Sequence, residues 1–227
     1  MNKFIQVDPV SLAIALLIFL SSTLVAAGQS PDEARILKIV DQQNAAAVEF
    51  LEKAVNIDSP TEDLEGVKKV GMLFAKELES LGMSVRWVDM PASSKRAGHL
   101  IAETKGSKGK RLLLLGHLDT VLKGERFRRE GDRVYGSGVA DMKGGNVVAL
   151  YALKALHAAG LLNDTRIILI FTGDEEDSCE PVTVCRGDMI AAAKRSDLAL
   201  SFEGSIGKTA TVGRRGASSW TLEVEAK

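Results

Sequence analysis

Apolar residues recur at helical spacing from Asp32 onward, at Ile36, Val40, Ala47, Val48, Leu51 and Val55, and the pattern stops near Asn56 before the turn signal Asp58-Ser59-Pro60. This predicts a first amphipathic helix. A second follows at Leu64, Val67, Val70, Phe74, Leu78 and Leu81, closed by Gly82, where a helix C-terminus favours a residue tolerant of positive φ. Ser84 to Val88 and His99 to Glu103 read as short strands, and the glycine-containing segment Lys105 to Lys110 reads as the turn before Leu112 to Leu115, an apolar run expected to be fully buried. Paired apolar rows from Val147 to Ala159 predict a helix, Ile167 to Phe171 a buried strand, Met189 to Lys194 a helix and Leu198 to Phe202 another strand.

Strand, helix, strand, repeated, predicts an α/β fold: a mostly parallel sheet with helices on both faces. After Gly204 the chain becomes glycine-rich and alternating. Trp220, Leu222 and Val224 fall on one side of a strand expected from Ser218 to Glu225, taken as the start of a truncated second domain.

Residues 1–27 have a different character. Lys3 precedes an apolar stretch from Leu12 to Leu20, and Val25-Ala26-Ala27 supplies small residues of the kind a signal peptidase reads. The expectation is a signal peptide and an exported, periplasmic or secreted protein, with an uncleaved anchor as the alternative. A membrane span needs about 20 apolar residues, more than this stretch provides. An oxidising compartment permits a disulfide between Cys179 and Cys185; their spacing alone leaves the pair open between a bridge and two free thiols.

Composition narrows the function classes. With 45% apolar residues and a formal net charge of -1, the chain has material for one sizeable core and no basic footprint for nucleic acid. The short basic run Arg126 to Arg129 reads as a solvated loop or strand edge.

The chemistry gathers where α/β sheets place it, beyond the carboxyl ends of the strands. Gly116-His117-Leu118-Asp119-Thr120 follows the first buried run, Thr172-Gly173-Asp174-Glu175-Glu176 the second, and Glu203 the third. Asp141 joins them from the glycine-rich turn Tyr135 to Gly145, just before a helix. Carboxylates collected at one edge repel one another unless a cation sits among them, and zinc takes both imidazole nitrogen and carboxylate oxygen. Asp119, two residues after His117 on an extended segment, points to the same side and can accept the second imidazole N–H. The glycine-rich turn could instead cradle a phosphate, but it lacks the Lys-Ser or Lys-Thr of a P-loop. His99 and His157 lie away from this edge and read as structural or exposed.

The segments Gly116 to Val121, Tyr135 to Gly145, Thr172 to Glu176 and Ser201 to Glu203 resemble, in order and spacing, the zinc-dependent family that contains glutamate carboxypeptidase, acetylornithine deacetylase and succinyl-diaminopimelate desuccinylase, the first of these branches most of all. The resemblance implies a zinc exopeptidase-like catalytic domain over 28–212 and, over 213–227, the beginning of a lid domain through which the family commonly dimerises. It makes Asp141 the carboxylate bridging two zinc ions, with His117 and Glu203 on one and Glu176 on the other. Glu175 becomes the general base, and Asp119 orients His117. It also implies a cis Asp141–Met142 bond and a small peptide or N-acyl amino acid substrate, with cobalt or manganese as possible substitutes for zinc.

Two departures qualify the carry-over. The family's Glu176-side ion takes a further histidine from far downstream, and no histidine follows His157 here. Asp177 to Arg186 carries two cysteines and a proline where many relatives have a short glycine and serine segment. The sequence therefore predicts weak zinc binding at the Glu176 position in this chain; the alternative is an inactive exported domain that binds metal or a carboxylate ligand.

Overall fold

The computed structural model describes residues 29–205, 207, 209–213, 216, 218 and 220–225. The expected signal peptide, residues 1–27, lies outside the described residues. Helix α1, Pro31–Val55, starts on a capping box in which Ser30 and Glu33 exchange side-chain-to-backbone bonds, with Pro31 in the first turn. Only its last turns are buried, through Phe50, Leu51, Ala54 and Val55. Helix α2, Leu64–Ser80, is capped by Asp63, whose carboxylate accepts the Gly66 N–H at 2.9 Å, and ends before Gly82 at φ 77°.

The strands are β1 Ser84–Asp89, β2 Gly98–Glu103, β3 Lys108–His117, β4 Arg128–Glu130, β5 Arg133–Tyr135, β6 Thr165–Thr172 and β7 Leu198–Ser201. Five of them form the central sheet in the order β1-β2-β6-β3-β7, with β6, β3 and β7 parallel to one another and β2 antiparallel to both β1 and β6. Helix α3, Gly144–Ala158, makes the crossover from β3 to β6, while α4, Val182–Cys185, and α5, Gly187–Lys194, lie between β6 and β7.

Alternation along the strands sorts the core onto two faces. Leu100, Ala102, Leu114, Ile167, Leu169 and Phe171 pack with residues of α1, α2 and α3, whereas Ile101, Leu113, Ile168 and Ile170 pack with Ala192 and Met189 of α5. Helices therefore cover both faces, as the repeated strand and helix pattern requires. Among the described residues, no helix is long and apolar enough to cross a membrane.

Several expectations are corrected. Leu113 and Leu114 are buried, but Leu112 and Leu115 are only partly so. The neighbouring β7 is an edge strand, with Leu198 and Leu200 exposed, so the far side of β3 is thinly covered. Strand β3 begins at Lys108, inside the segment read as a turn, and α3 begins at Gly144, three residues before its apolar rows. Ser218 and residues 220–225 form no strand. Trp220, Leu222 and Val224 stand almost fully exposed, because no described segment pairs with them and a lone strand has no ladder to close. The basic run does lie at a solvated strand edge, but within a β4–β5 hairpin that the pattern did not reveal.

Glycine sets one close approach that the site depends on. A Cβ on Gly145 would meet the backbone oxygen of Phe202 at 2.0 Å, so only glycine lets the start of α3 lie against the end of β7. Gly145→Ala is expected to destabilise the protein by about 1–3 kcal/mol, read as a lower urea midpoint. An unchanged midpoint would mean that this contact is slack.

Candidate metal centre

The parallel register of β3, β6 and β7 explains why distant acids meet. His117 ends β3 opposite Thr172 of β6, and Leu115 pairs with Ser201 of β7, so Asp174, Glu175, Glu176 and Glu203 all emerge at the same edge as His117. The Val139–Lys143 turn brings in Asp141 after Gly138 at φ 77°, and the Asp141–Met142 bond is cis, as expected from the resemblance.

His117 is buried, and its two nitrogens face different partners. Nδ1 lies 2.9 Å from the backbone oxygen of Asp119 and 3.3 Å from its carboxylate, so Nδ1–H donates to Asp119. Nε2 lies 2.9 Å from Asp141 Oδ1 and 3.5 Å from Glu203 Oε1. Asp119 thus orients the ring mainly through its backbone, a refinement of the carboxylate contact read from the sequence.

The Asp119 carboxylate is instead a buried hub. It accepts the Thr61 hydroxyl at 2.8 Å and the backbone N–H groups of Glu175 and Glu176 at 3.0 and 3.1 Å. Burial alone raises its pKa, but the bonds from His117 and Thr61 outweigh that and hold it below the ordinary carboxylate value. Burial likewise pushes His117 down, and Asp119, followed by Asp141 and Glu203, overrides this and lifts the imidazole to about 9. Glu176 is raised, first by burial and then by the negative charge of Asp141. Glu175 is exposed, with only its backbone tied to Asp119.

Among the described residues, two groups of three ligand atoms converge within 4.8 Å. One is Asp174, Cys179 and Cys185, but the two sulfurs are joined in a disulfide. The other is His117, Asp141 and Glu203. That set fits zinc: one imidazole nitrogen and two carboxylates, with the opposite ring nitrogen engaged so that Nε2 carries the lone pair once deprotonated. Glu176 is outside the 4.8 Å group, although the field of Asp141 reaches it.

Sequence reasoning missed three supports. Thr61 reaches Asp119 from the loop after α1, a loop that also touches the site edge through the Pro60–Thr120 bridge. The Asn146 amide donates to the His117 carbonyl oxygen at 2.6 Å. The buried Lys143 ammonium donates to the Ile57 carbonyl oxygen at 2.7 Å, fastening the glycine-rich turn to the same loop, and burial pushes its pKa down to about 8. The polar positions beside Pro60 and at the start of α3 were the available signals. His99, read as structural or exposed, is buried, and His157 is exposed.

Residues 113–223 match peptidase family M20/M25/M40. The chain is 38% identical over 202 residues to carboxypeptidase G2 of Pseudomonas sp. strain RS-16, covering 84% of this chain and 46% of that protein. It is 34% identical over 155 residues to succinyl-diaminopimelate desuccinylase of Novosphingobium aromaticivorans, 62% of this chain and 40% of that protein. Human carnosine dipeptidase 1 superposes with a TM-score of 0.64 at 20% identity, over 74% of this chain and 40% of that structure. An M20 family metallo-carboxypeptidase of Sulfolobus solfataricus superposes with a TM-score of 0.53 at 24% identity, over 70% and 36%. The chain thus spans less than half the length of each of these relatives.

Proposed function

Because this chain belongs to peptidase family M20/M25/M40, we propose that it carries the catalytic part of an exported, zinc-dependent hydrolase that cleaves an amide bond beside a free carboxylate, in a small peptide or an N-acyl amino acid. The convergence of His117 Nε2, Asp141 and Glu203 at the end of three parallel strands carries this reading. His117, Asp141 and Glu203 would hold one ion, and Asp141 with Glu176 would contribute to a second. Zinc bound there would polarise the scissile carbonyl and acidify the attacking water.

The chain's own groups supply the rest. Glu175 stands beside the ligands without belonging to the converging group, so its carboxylate is free to take the proton of water and return it to the leaving amine. Asp119 serves both parts: one residue sets the tautomer of His117 and anchors the backbone of Glu175 and Glu176. The similarity to carboxypeptidase G2 supports a carboxypeptidase-type cleavage, and the Cys179–Cys185 disulfide supports an oxidising compartment.

Zinc titration of the metal-free protein by mass spectrometry and calorimetry tests the assignment. The expectation is a tight ion that His117→Ala or Glu203→Ala removes and Glu176→Ala leaves in place. Absence of zinc binding, or binding indifferent to His117→Ala, would overturn it.

A further inference from the structure

The segment bearing Glu175 and Glu176 is tied down on both sides by a structure that the chemistry above does not use. Before it, the Gly173 N–H donates to His99 Nδ1 at 3.2 Å, and Asp174 is completely buried. After it, Arg96 binds the backbone oxygen and carboxylate of Asp177 at 2.7 and 2.6 Å. Arg186 spans the loop: one nitrogen pairs with Asp174 Oδ1, and the other donates to the Asp174 carbonyl oxygen at 3.0 Å and the Ser178 hydroxyl at 2.7 Å. The remaining Asp174 oxygen accepts the Cys179 N–H at 3.4 Å.

The disulfide closes this arrangement. Cys179 and Cys185 are both buried, and Arg186 is the residue after the second sulfur. The Cys185 carbonyl oxygen accepts His99 Nε2–H at 2.7 Å, so His99 receives a bond from Gly173 on one nitrogen and gives one to Cys185 on the other. That pair of partners requires the neutral Nε2–H tautomer. One ring thereby joins the residue two before Glu175 to the end of the disulfide loop. A buried arginine paired with a buried carboxylate resists separation, because either charge alone is costly there, so the pair moves with the backbone that carries Asp174 and Arg186. The disulfide between cysteines six positions apart fixes that backbone.

We propose that Arg186 and His99 are positioning residues for Glu175 and Glu176, and that the Cys179–Cys185 disulfide locks them, making the site sensitive to dithiol reductants. The inference rests on the roles assigned above to the two glutamates. Reduction takes two electrons and two protons from the dithiol, leaves a thiol on each cysteine and closes the reductant's own disulfide. It leaves the Arg186–Asp174 charges intact but frees the loop that aims them.

Amide hydrogen exchange on the metal-free protein tests this without reference to activity. The Cys179→Ser/Cys185→Ser double variant, and wild type treated with dithiothreitol, should exchange the amides of Gly173, Glu175, Glu176 and Cys179 about tenfold faster, while Ile168 to Ile170 in β6 stay protected. Arg186→Met should do the same; because it strands Asp174 and can cost the fold, the disulfide variant is the deciding one. In the zinc-loaded protein, the double variant should lose kcat about tenfold while KM and the zinc held by His117 are unchanged. Unchanged exchange around Glu175 would overturn the inference. A wild-type protein that binds zinc but hydrolyses nothing would overturn the proposed function instead, and the exchange result would still decide this one.

Discussion

Glu175→Gln in the zinc-loaded protein is expected to lower kcat for an N-acyl glutamate by about 10²–10⁴-fold, the usual range for losing a positioned general base, while zinc content stays the same. The substitution keeps size and leaves the backbone N–H on Asp119 untouched, so the segment has no reason to move. Glu175 is also absent from the group that converges within 4.8 Å. Steady-state rates and zinc measured on the same sample separate the outcomes. Loss of zinc would make Glu175 a ligand, and an unchanged rate would remove it from the chemistry.

Zinc affinity is expected to rise steeply with pH. In the metal-free protein His117 holds its proton up to about 9 because Asp119, Asp141 and Glu203 surround it, and that proton occupies Nε2, the nitrogen that zinc needs. Binding therefore displaces one proton throughout the range below about 9, which makes affinity climb about tenfold per pH unit between pH 7 and 9 on this account alone. Calorimetry in buffers of different ionisation enthalpy counts the proton released. A flat affinity would mean that His117 is already neutral at pH 7.

The same shift acts on stability, with the opposite direction. A histidine whose folded pKa lies above its unfolded value of about 6.5 stabilises the protein fully below that value and loses the contribution as pH rises towards about 9. Lys143 runs the other way: its folded pKa, about 8, lies below its unfolded value, so stability recovers as pH rises above about 8. The metal-free protein should therefore lose about 2 kcal/mol between pH 6.5 and 8, stay level between about 8 and 9 and recover above that, seen as urea midpoints that fall, level and then rise.

Much of this was legible from residue order. The helical rows of α2, α3 and the last turns of α1 are dictated by burial of one stripe, and the continuous run of β6 by cover on both faces, so periodicity found them. The acids after β3, β6 and β7 were legible because a parallel sheet delivers its strand ends to one edge. The β4–β5 hairpin was not, since three-residue strands of exposed arginines carry no apolar alternation to detect.

By itself, then, the sequence determined the α/β class, the helices and strands of the core, and which residue types arrive at the carboxyl edge of the sheet, because these follow from local periodicity and from one topological rule. Only the tertiary structure decided which atoms meet there. It turned Nε2 of His117 towards Asp141 and Glu203, made Asp119 the acceptor for Thr61, Glu175 and Glu176, set Lys143 under the glycine-rich turn and joined Cys179 to Cys185. Those outcomes depend on distances between segments tens of residues apart, and a buried donor or acceptor takes whatever partner the packing brings within reach, which no local pattern encodes.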